Sequence, residues 1–213
     1  MGMDTSAFQA WVHEAARLIT EQAGRLTDLD AAIGDGDHGI NLRRGFQAAD
    51  EMLDKSEAET PGAVLQTVGR ALISKTGGAS GPLYGTGFRQ AGKALADVTE
   101  VDAARLGAAL EAAFKGIQQL GAAREGDKTL LDALGPAVTA YQVAVEGGAD
   151  IPAATRAAAD AAERGLAETV PMLARKGRAS YLGERTIGHE DPGAASTTLI
   201  LRALATVAAG EAP

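Results

Sequence analysis

Asp30-Ala31-Ala32-Ile33-Gly34-Asp35-Gly36-Asp37-His38-Gly39-Ile40-Asn41 places three carboxylates within eight residues and threads them with glycines. Carboxylates this close repel one another unless a cation neutralises them. A hard divalent ion, Mg2+ or Ca2+, takes oxygen ligands of this kind. An amphipathic pattern resumes at His38, so a helix starts directly on the segment. Its free N–H groups would point back at the same spot, which suits an anion such as phosphate. Metal and phosphate at one helix start are the ingredients of nucleotide-dependent phosphoryl transfer.

Outward from this segment the chain reads as eight helices and little else. The first begins near Asp4-Thr5-Ser6 and carries Phe8, Trp11, Val12, Ala15, Leu18 and Ile19 on one face. The second runs from about His38 to Leu53. Thr60 followed by Pro61 marks the start of the third, an N-cap with proline at the first helical position. The fourth follows Gly77-Gly78-Ala79-Ser80-Gly81-Pro82 and reaches about Ala96, with Ser80 as its expected cap. Asp102 caps the fifth, which ends near Leu120. The sixth spans about Thr129 to Val145, the seventh Pro152 to about Ala174, and the eighth Pro192 to about Ala209.

No strand-like alternation of five or more residues lies between them, so the expected class is all-α with antiparallel neighbours. The glycine-bearing loops follow helices one, three, five and seven. In an up-and-down arrangement such alternate loops fall at one end, so all four should meet on one rim. The 213 residues fit a single domain, expected to span 1–213.

Composition narrows the function classes. Apolar residues make up 46% of the chain but aromatics only 4%, and alanine and leucine, both strong helix formers, carry most of the apolar content. The net charge of -8 and the lack of a basic stripe argue against direct nucleic-acid binding. The chain has no cysteine, which excludes disulfides and thiolate metal sites. The N-terminus has no basic region followed by an apolar run. The apolar stretch 194–209 is short for a membrane span and is broken by Arg202. A cytoplasmic, membrane-free protein is the simplest expectation.

Two pattern matches fail on inspection. Gly34-x-Gly36-x-x-Gly39 has the spacing of a dinucleotide fingerprint but no preceding strand. Gly87 to Ala94 resembles a P-loop, yet Ala94 stands where a Ser or Thr must hold Mg2+, and the stretch lies inside a helical pattern; these glycines read as close helix packing. An EF-hand also fails: counted from Asp35, position five is Gly39 and position twelve is Phe46.

Other segments fit an anion site. Gly77 to Pro82 allows close backbone approach to a ligand, and Gly121 to Thr129 has the composition of a nucleotide-edge loop. Arg175, Lys176, Arg178 and Arg185 put four cations into eleven residues of an acidic chain. Arg is suited to charge developing on a transferring phosphoryl group. Asp191 opens the last helix, as cap or as backbone for a ligand. His38 and His189 read as hydrogen-bonding partners rather than metal ligands, and His13 as a surface or satisfied residue.

On these residues the chain resembles the L subunit of bacterial dihydroxyacetone kinase over nearly its full length. The resemblance rests on Leu29 to Asn41, Gly77 to Leu83, Gly126-Asp127-Lys128-Thr129, Lys176 to Arg185, Gly188-His189 and Asp191-Pro192-Gly193. It implies an eight-helix antiparallel barrel with a nucleotide at one rim. It implies that Asp30, Asp35 and Asp37 hold Mg2+, as two ions bridging the phosphates. It places His38, Gly39, Ile40, Asn41, Ala79, Ser80, Gly121, Thr129, Leu130, Arg178, Asp191, Pro192 and Gly193 around ADP or ATP. Backbone N–H groups of 38–41 and 79–80 would cradle phosphates, and Arg178 would act in catalysis.

The resemblance also implies partners: a K subunit carrying dihydroxyacetone on a histidine and supplying the general base, and an M subunit that rephosphorylates ADP in place. A transcriptional regulator and a second copy of the chain are further expected contacts. Two other readings stay open: an ATP-dependent component for another short ketose or polyol, and a non-enzymatic ADP-sensing adaptor of a regulator.

Overall fold

The computed structural model describes residues 2–96 and 98–211; the ends of the expected domain, Met1 and 212–213, lie outside the described residues. Nine α-helices run α1 Thr5–Glu21, α2 Ala23–Ile33, α3 His38–Asp54, α4 Pro61–Lys75, α5 Ser80–Leu95, α6 Ala103–Gly121, α7 Leu131–Glu146, α8 Ile151–Glu168 and α9 Pro192–Ala208. A 3-10 segment, Arg178–Thr186, lies between the last two.

The all-α expectation holds, and eight of these helices form a closed ring. Each of α3 to α8 packs on its successor, α9 packs on α1, and α1 packs on α3. The seam between α1 and α9 is tied by Trp11, whose Nε1 donates to the Ile200 carbonyl at 3.0 Å. Phe8, Trp11, Phe46 and Phe88 meet inside the ring with ring centroids 5.7–6.1 Å apart. Leu42, Val64, Leu72, Leu106, Ala133 and Ala194 extend the same core.

Helix starts follow the cap chemistry. Asp4, Thr60, Asp102, Asp150 and Asp191 each accept a hydrogen bond from a backbone N–H three residues on, which satisfies one of the donors a helix start leaves open. The glycines of the false P-loop are packing residues. A Cβ at Gly92 would come within 2.8 Å of the Gly62 carbonyl oxygen on α4, and one at Gly87 within 2.7 Å of Ile117 on α6.

Three expectations on element bounds are corrected. The first helical segment is two helices, α1 and α2, joined at Gln22, so the described residues form nine α-helices rather than eight. The seventh expected helix ends at Glu168, not near Ala174; the turn at Thr169 and Val170 precedes Pro171, whose ring and missing N–H oppose continuation. Ser80 does not cap α5: its hydroxyl is bonded to His38 Nδ1 at 3.1 Å, and no side chain caps that helix. Two residues on each side, Met3–Asp4 and Glu100–Val101, add a short antiparallel pair. The pair joins the segments before α1 and α6, so these lie at one end of the ring, opposite the glycine-bearing loops.

Candidate functional site

The four glycine-bearing loops do meet on one rim. They line a cleft of about 790 Å3 that takes in Asp30, Asp35, Asp37, His38, Ala79, Ser80, Gly121, Thr129, Leu130, Arg178, Asp191, Pro192 and Gly193. The up-and-down path also brings the N-termini of α3, α5, α7 and α9 to this cleft. Each helix start carries partial positive charge and open N–H groups. Four aimed at one cavity make a strong anion site.

The acidic cluster sits at the start of α3. One carboxylate oxygen from each of Asp30, Asp35 and Asp37 lies within 4.8 Å of the others. The left-handed Gly36 (φ 72°) turns the chain between the last two. An all-oxygen, all-anionic set at this spacing fits a hard divalent cation such as Mg2+. Two cationic influences compensate the cluster. Asp30 Oδ2 accepts the backbone N–H of Asp37 at 2.8 Å and of His38 at 3.1 Å, so this carboxylate also caps α3. Arg178 Nε lies 3.0 Å from Asp35 Oδ2, joining the basic loop to the acidic one.

The expected cradle at 38–41 is therefore only partly open. The His38 N–H is taken by Asp30, and the Asn41 N–H donates to the Asp37 carbonyl. Gly39, Ile40 and Asn41 are not part of the cleft lining. A Cβ at Gly39 would collide with the Ala23 carbonyl and Thr27 of α2, so this glycine lets two helices touch. Asn41 Oδ1 accepts from Arg44, and the Asn41 side chain packs against Gly77. Ile40 is exposed. Of the thirteen residues expected around a nucleotide, these three stand behind the rim, and the other ten line it.

A buried polar chain braces the floor. His38 bonds Ser80 through Nδ1 and Ser196 through Nε2 (2.9 Å), and Ser196 meets the Tyr84 hydroxyl at 2.7 Å. Burial holds the His38 pKa below its ordinary value despite the nearby Asp30 and Asp37 charges. His38 is thus a hydrogen-bonding partner that ties α3, α5 and α9 together. Burial also pushes the Asp191 carboxyl up to about 7, with Asp132 adding to the rise and the Ala194 N–H and the Lys128 charge opposing it.

Sequence reasoning missed two residues. Asp132, almost fully buried, accepts from the N–H groups of Gly126 at 2.5 Å and Thr129 at 2.6 Å and so shapes the loop before α7. Its place three residues after Thr129, at a helix start, was the available signal. Lys128 is buried in the same loop at the edge of the cleft, with its ammonium bonded to backbone carbonyls. No sequence pattern marks a buried lysine.

Comparison with known proteins agrees with this geometry. The DAK2 domain family matches residues 32–206. The ADP-binding subunit DhaL of PEP-dependent dihydroxyacetone kinase 1 from Listeria innocua is 41% identical over 194 residues, covering 91% of this chain and 92% of that one. The corresponding subunit from Escherichia coli is 38% identical over 208 residues, covering 98% and 99%. Among solved structures, the dihydroxyacetone kinase of C. freundii in complex with AMP-PNP and Mg2+ superposes with a TM-score of 0.71 at 25% identity. The match takes in 96% of this chain and 34% of that longer one. The rim that gathers four helix starts and three aspartates is thus carried on a chain that belongs to the DAK2 domain family.

Proposed function

We propose that this chain is the nucleotide-holding subunit of a dihydroxyacetone phosphotransferase, and that residues 1–213 form one L-type domain. The observation that carries the reading is the rim itself: four helix N-termini and three carboxylates clustered at the start of α3 line one cleft. Helix starts attract phosphate and the carboxylates attract a divalent cation, so together they select a metal-bound polyphosphate. The names of the full-length relatives, ADP-binding subunits, and the AMP-PNP and Mg2+ of the C. freundii complex support the same ligand.

In this reading Asp30, Asp35 and Asp37 hold Mg2+, as two ions. The metal, when bound, would neutralise phosphate charge and bridge phosphate oxygens. Ala79 and Ser80 present the uncapped start of α5 to the phosphates. Gly121, Thr129 and Leu130 line the side where a base would lie, and Asp191-Pro192-Gly193 adjoins it, with Gly193 packed against Leu130. His38 fixes these walls relative to one another. Arg178, paired here with Asp35, would be available to offset charge developing on the transferring group if that carboxylate held a cation.

Dihydroxyacetone would be presented by a K subunit, without which the chain is inactive. An M subunit would return a phosphoryl group to bound ADP. The setting is cytoplasmic; among the described residues no helix is long and apolar enough to cross a membrane.

Reconstitution tests this directly. The chain, mixed with a K subunit and phosphorylated M subunit, should form dihydroxyacetone phosphate without added ATP, and Asp35→Ala should abolish it. Turnover with ATP but not with phosphorylated M would move the chain to an ATP-dependent ketose kinase. Tight ADP binding with no transfer in either mixture would indicate a sensing role.

A further inference from the structure

Lys128 is 1% exposed, and its backbone sits in the left-handed region at φ 60°. Its ammonium Nζ donates towards four carbonyl oxygens: Thr169 at 2.8 Å, Met172 at 3.2 Å, Thr186 at 2.7 Å and His189 at 2.6 Å. A lysine in a loop bordering a phosphate-sized cleft would ordinarily be read as a phosphate ligand. Here the charge is spent on backbone instead. The four oxygens come from the turn after α8, the end of the 3-10 segment and the residues just before α9. One ammonium therefore gathers both ends of the stretch that carries Arg178.

That stretch has little else to hold it. Within Arg178–Thr186 only Thr186 is buried. Exposed ion pairs tie it to the α2 side, Arg178 to Asp35 at 3.0 Å and Arg25 to Glu190 at 2.7 Å. The buried ties lie at its base: Arg175 N–H to the Asp127 carbonyl at 3.0 Å, Ala174 N–H to Thr186 Oγ1 at 3.0 Å, Gly188 N–H to the Val170 carbonyl at 2.8 Å, and Asp191 N–H to Thr169 Oγ1 at 3.0 Å. These bonds surround the ammonium. Four carbonyl oxygens converging on one buried point would repel one another without a cation between them. The Thr169 carbonyl also accepts the Met172 N–H at 3.1 Å, and those of Met172, Thr186 and His189 would lose the ammonium as a partner.

We propose that Lys128 is a positioning residue, a built-in cation in a carbonyl cage that fixes segment 169–191 so that Arg178 and the start of α9 face the cleft. It does not touch phosphate. Its effect on nucleotide rests on the reading of the cleft given above; its effect on loop order does not.

The test uses the whole protein and Lys128→Gly, which removes the ammonium while suiting the positive φ. Amide hydrogen exchange without nucleotide should speed by about tenfold or more across 170–191 and stay unchanged in α3 to α6. Propylammonium, which can refill the cage, should restore protection, whereas choline, with no N–H, should not. Unchanged exchange at 170–191, equal acceleration everywhere, or equal effects of both cations would overturn the proposal.

Nucleotide binding separates the two readings. If wild type binds Mg-ADP, Lys128→Gly should weaken it by about tenfold or more, with recovery in propylammonium. Wild-type affinity in a loop-loosened variant would break the link from Lys128 to the site. Failure of wild type itself to bind would count against the nucleotide reading alone. Should the variant not fold, wild type with 15N-labelled lysine decides. A single slowly exchanging ammonium signal, unmoved by Mg-ADP, is expected. Absence of any protected ammonium, or a shift of that signal on adding Mg-ADP, would overturn the assignment.

Discussion

Asp30 and Asp35 belong to one acidic cluster but carry different structural duties. Asp30 caps α3 through two backbone N–H groups, and Asp35 meets only the exposed Arg178. Loss of a capping carboxylate costs about 1 kcal/mol. Loss of an exposed ion pair costs about 0–1 kcal/mol, and removing one of three like charges offsets even that. In metal-free buffer Asp30→Ala should therefore lower the midpoint of thermal unfolding, and Asp35→Ala should leave it unchanged or raise it. Both should lose Mg-dependent nucleotide binding. Equal melting of the two variants would show that Asp30 has no capping role.

Asp191 gives a signed pH dependence. Its carboxyl is pushed from 3.8 up to about 7 by burial. The folded protein thus keeps a proton that the unfolded chain releases near pH 4. Stability from this group falls as pH rises between those values and is level above them. The difference between wild type and Asp191→Asn, followed by urea unfolding from pH 4 to 8, should reproduce that slope; a flat difference would refute the burial effect. The aspartate was legible in the sequence as a cap for α9, and it is one. Its burial was not, because that depends on the assembled fold, which also brings the charges of Lys128 and Asp132 to it from some sixty residues away. Lys128 was illegible for a related reason: lysines are almost always solvated, and only the assembled fold shows four carbonyls waiting for one.

Among the elements, α4 and α5 touch through glycines. A Cβ at Gly92 would stand 2.8 Å from the Gly62 carbonyl oxygen and 3.1 Å from the Gln66 backbone nitrogen, so neither neighbour can yield by rotating a side chain. Gly24 in α2 has nothing within 4 Å of the same position. Gly92→Ala should destabilise by about 1–3 kcal/mol through overpacking, whereas Gly24→Ala should stabilise by up to about 1 kcal/mol through helix propensity. Denaturant midpoints moving in the same direction would contradict the packing account.

Helix starts at Asp4, Thr60, Asp102 and Asp191 were readable because capping is local. The break at Gln22 was not, since the nearby Gly24 is itself helical and the buried stripe continues through Leu26. The overrun of α8 came from following alanine and leucine spacing past the turn at Thr169. The strand pair of Met3–Asp4 and Glu100–Val101 is too short to leave a period, and it depends on a contact between segments almost a hundred residues apart.

At the scale of the whole molecule, parity of connection does most to create the site. Because the ring alternates direction, every second loop reaches the same rim, and with it every second helix start. That arrangement lets a protein of net charge -8 offer an anion site: the attraction comes from oriented backbone and a few loop cations rather than from overall charge. On the proposed reading, three aspartates would stand beside the phosphates, where they would repel a bare nucleotide and favour a metal-bound one. Isothermal titration of ADP into nucleotide-free protein tests this most directly, with Mg2+ or with excess EDTA, for wild type and Asp35→Asn. Binding should be tight for wild type with Mg2+ and weaker by about a hundredfold or more in EDTA or in the variant. Equal affinity with and without Mg2+, or an Asp35→Asn protein that binds Mg-ADP like wild type, would contradict the account.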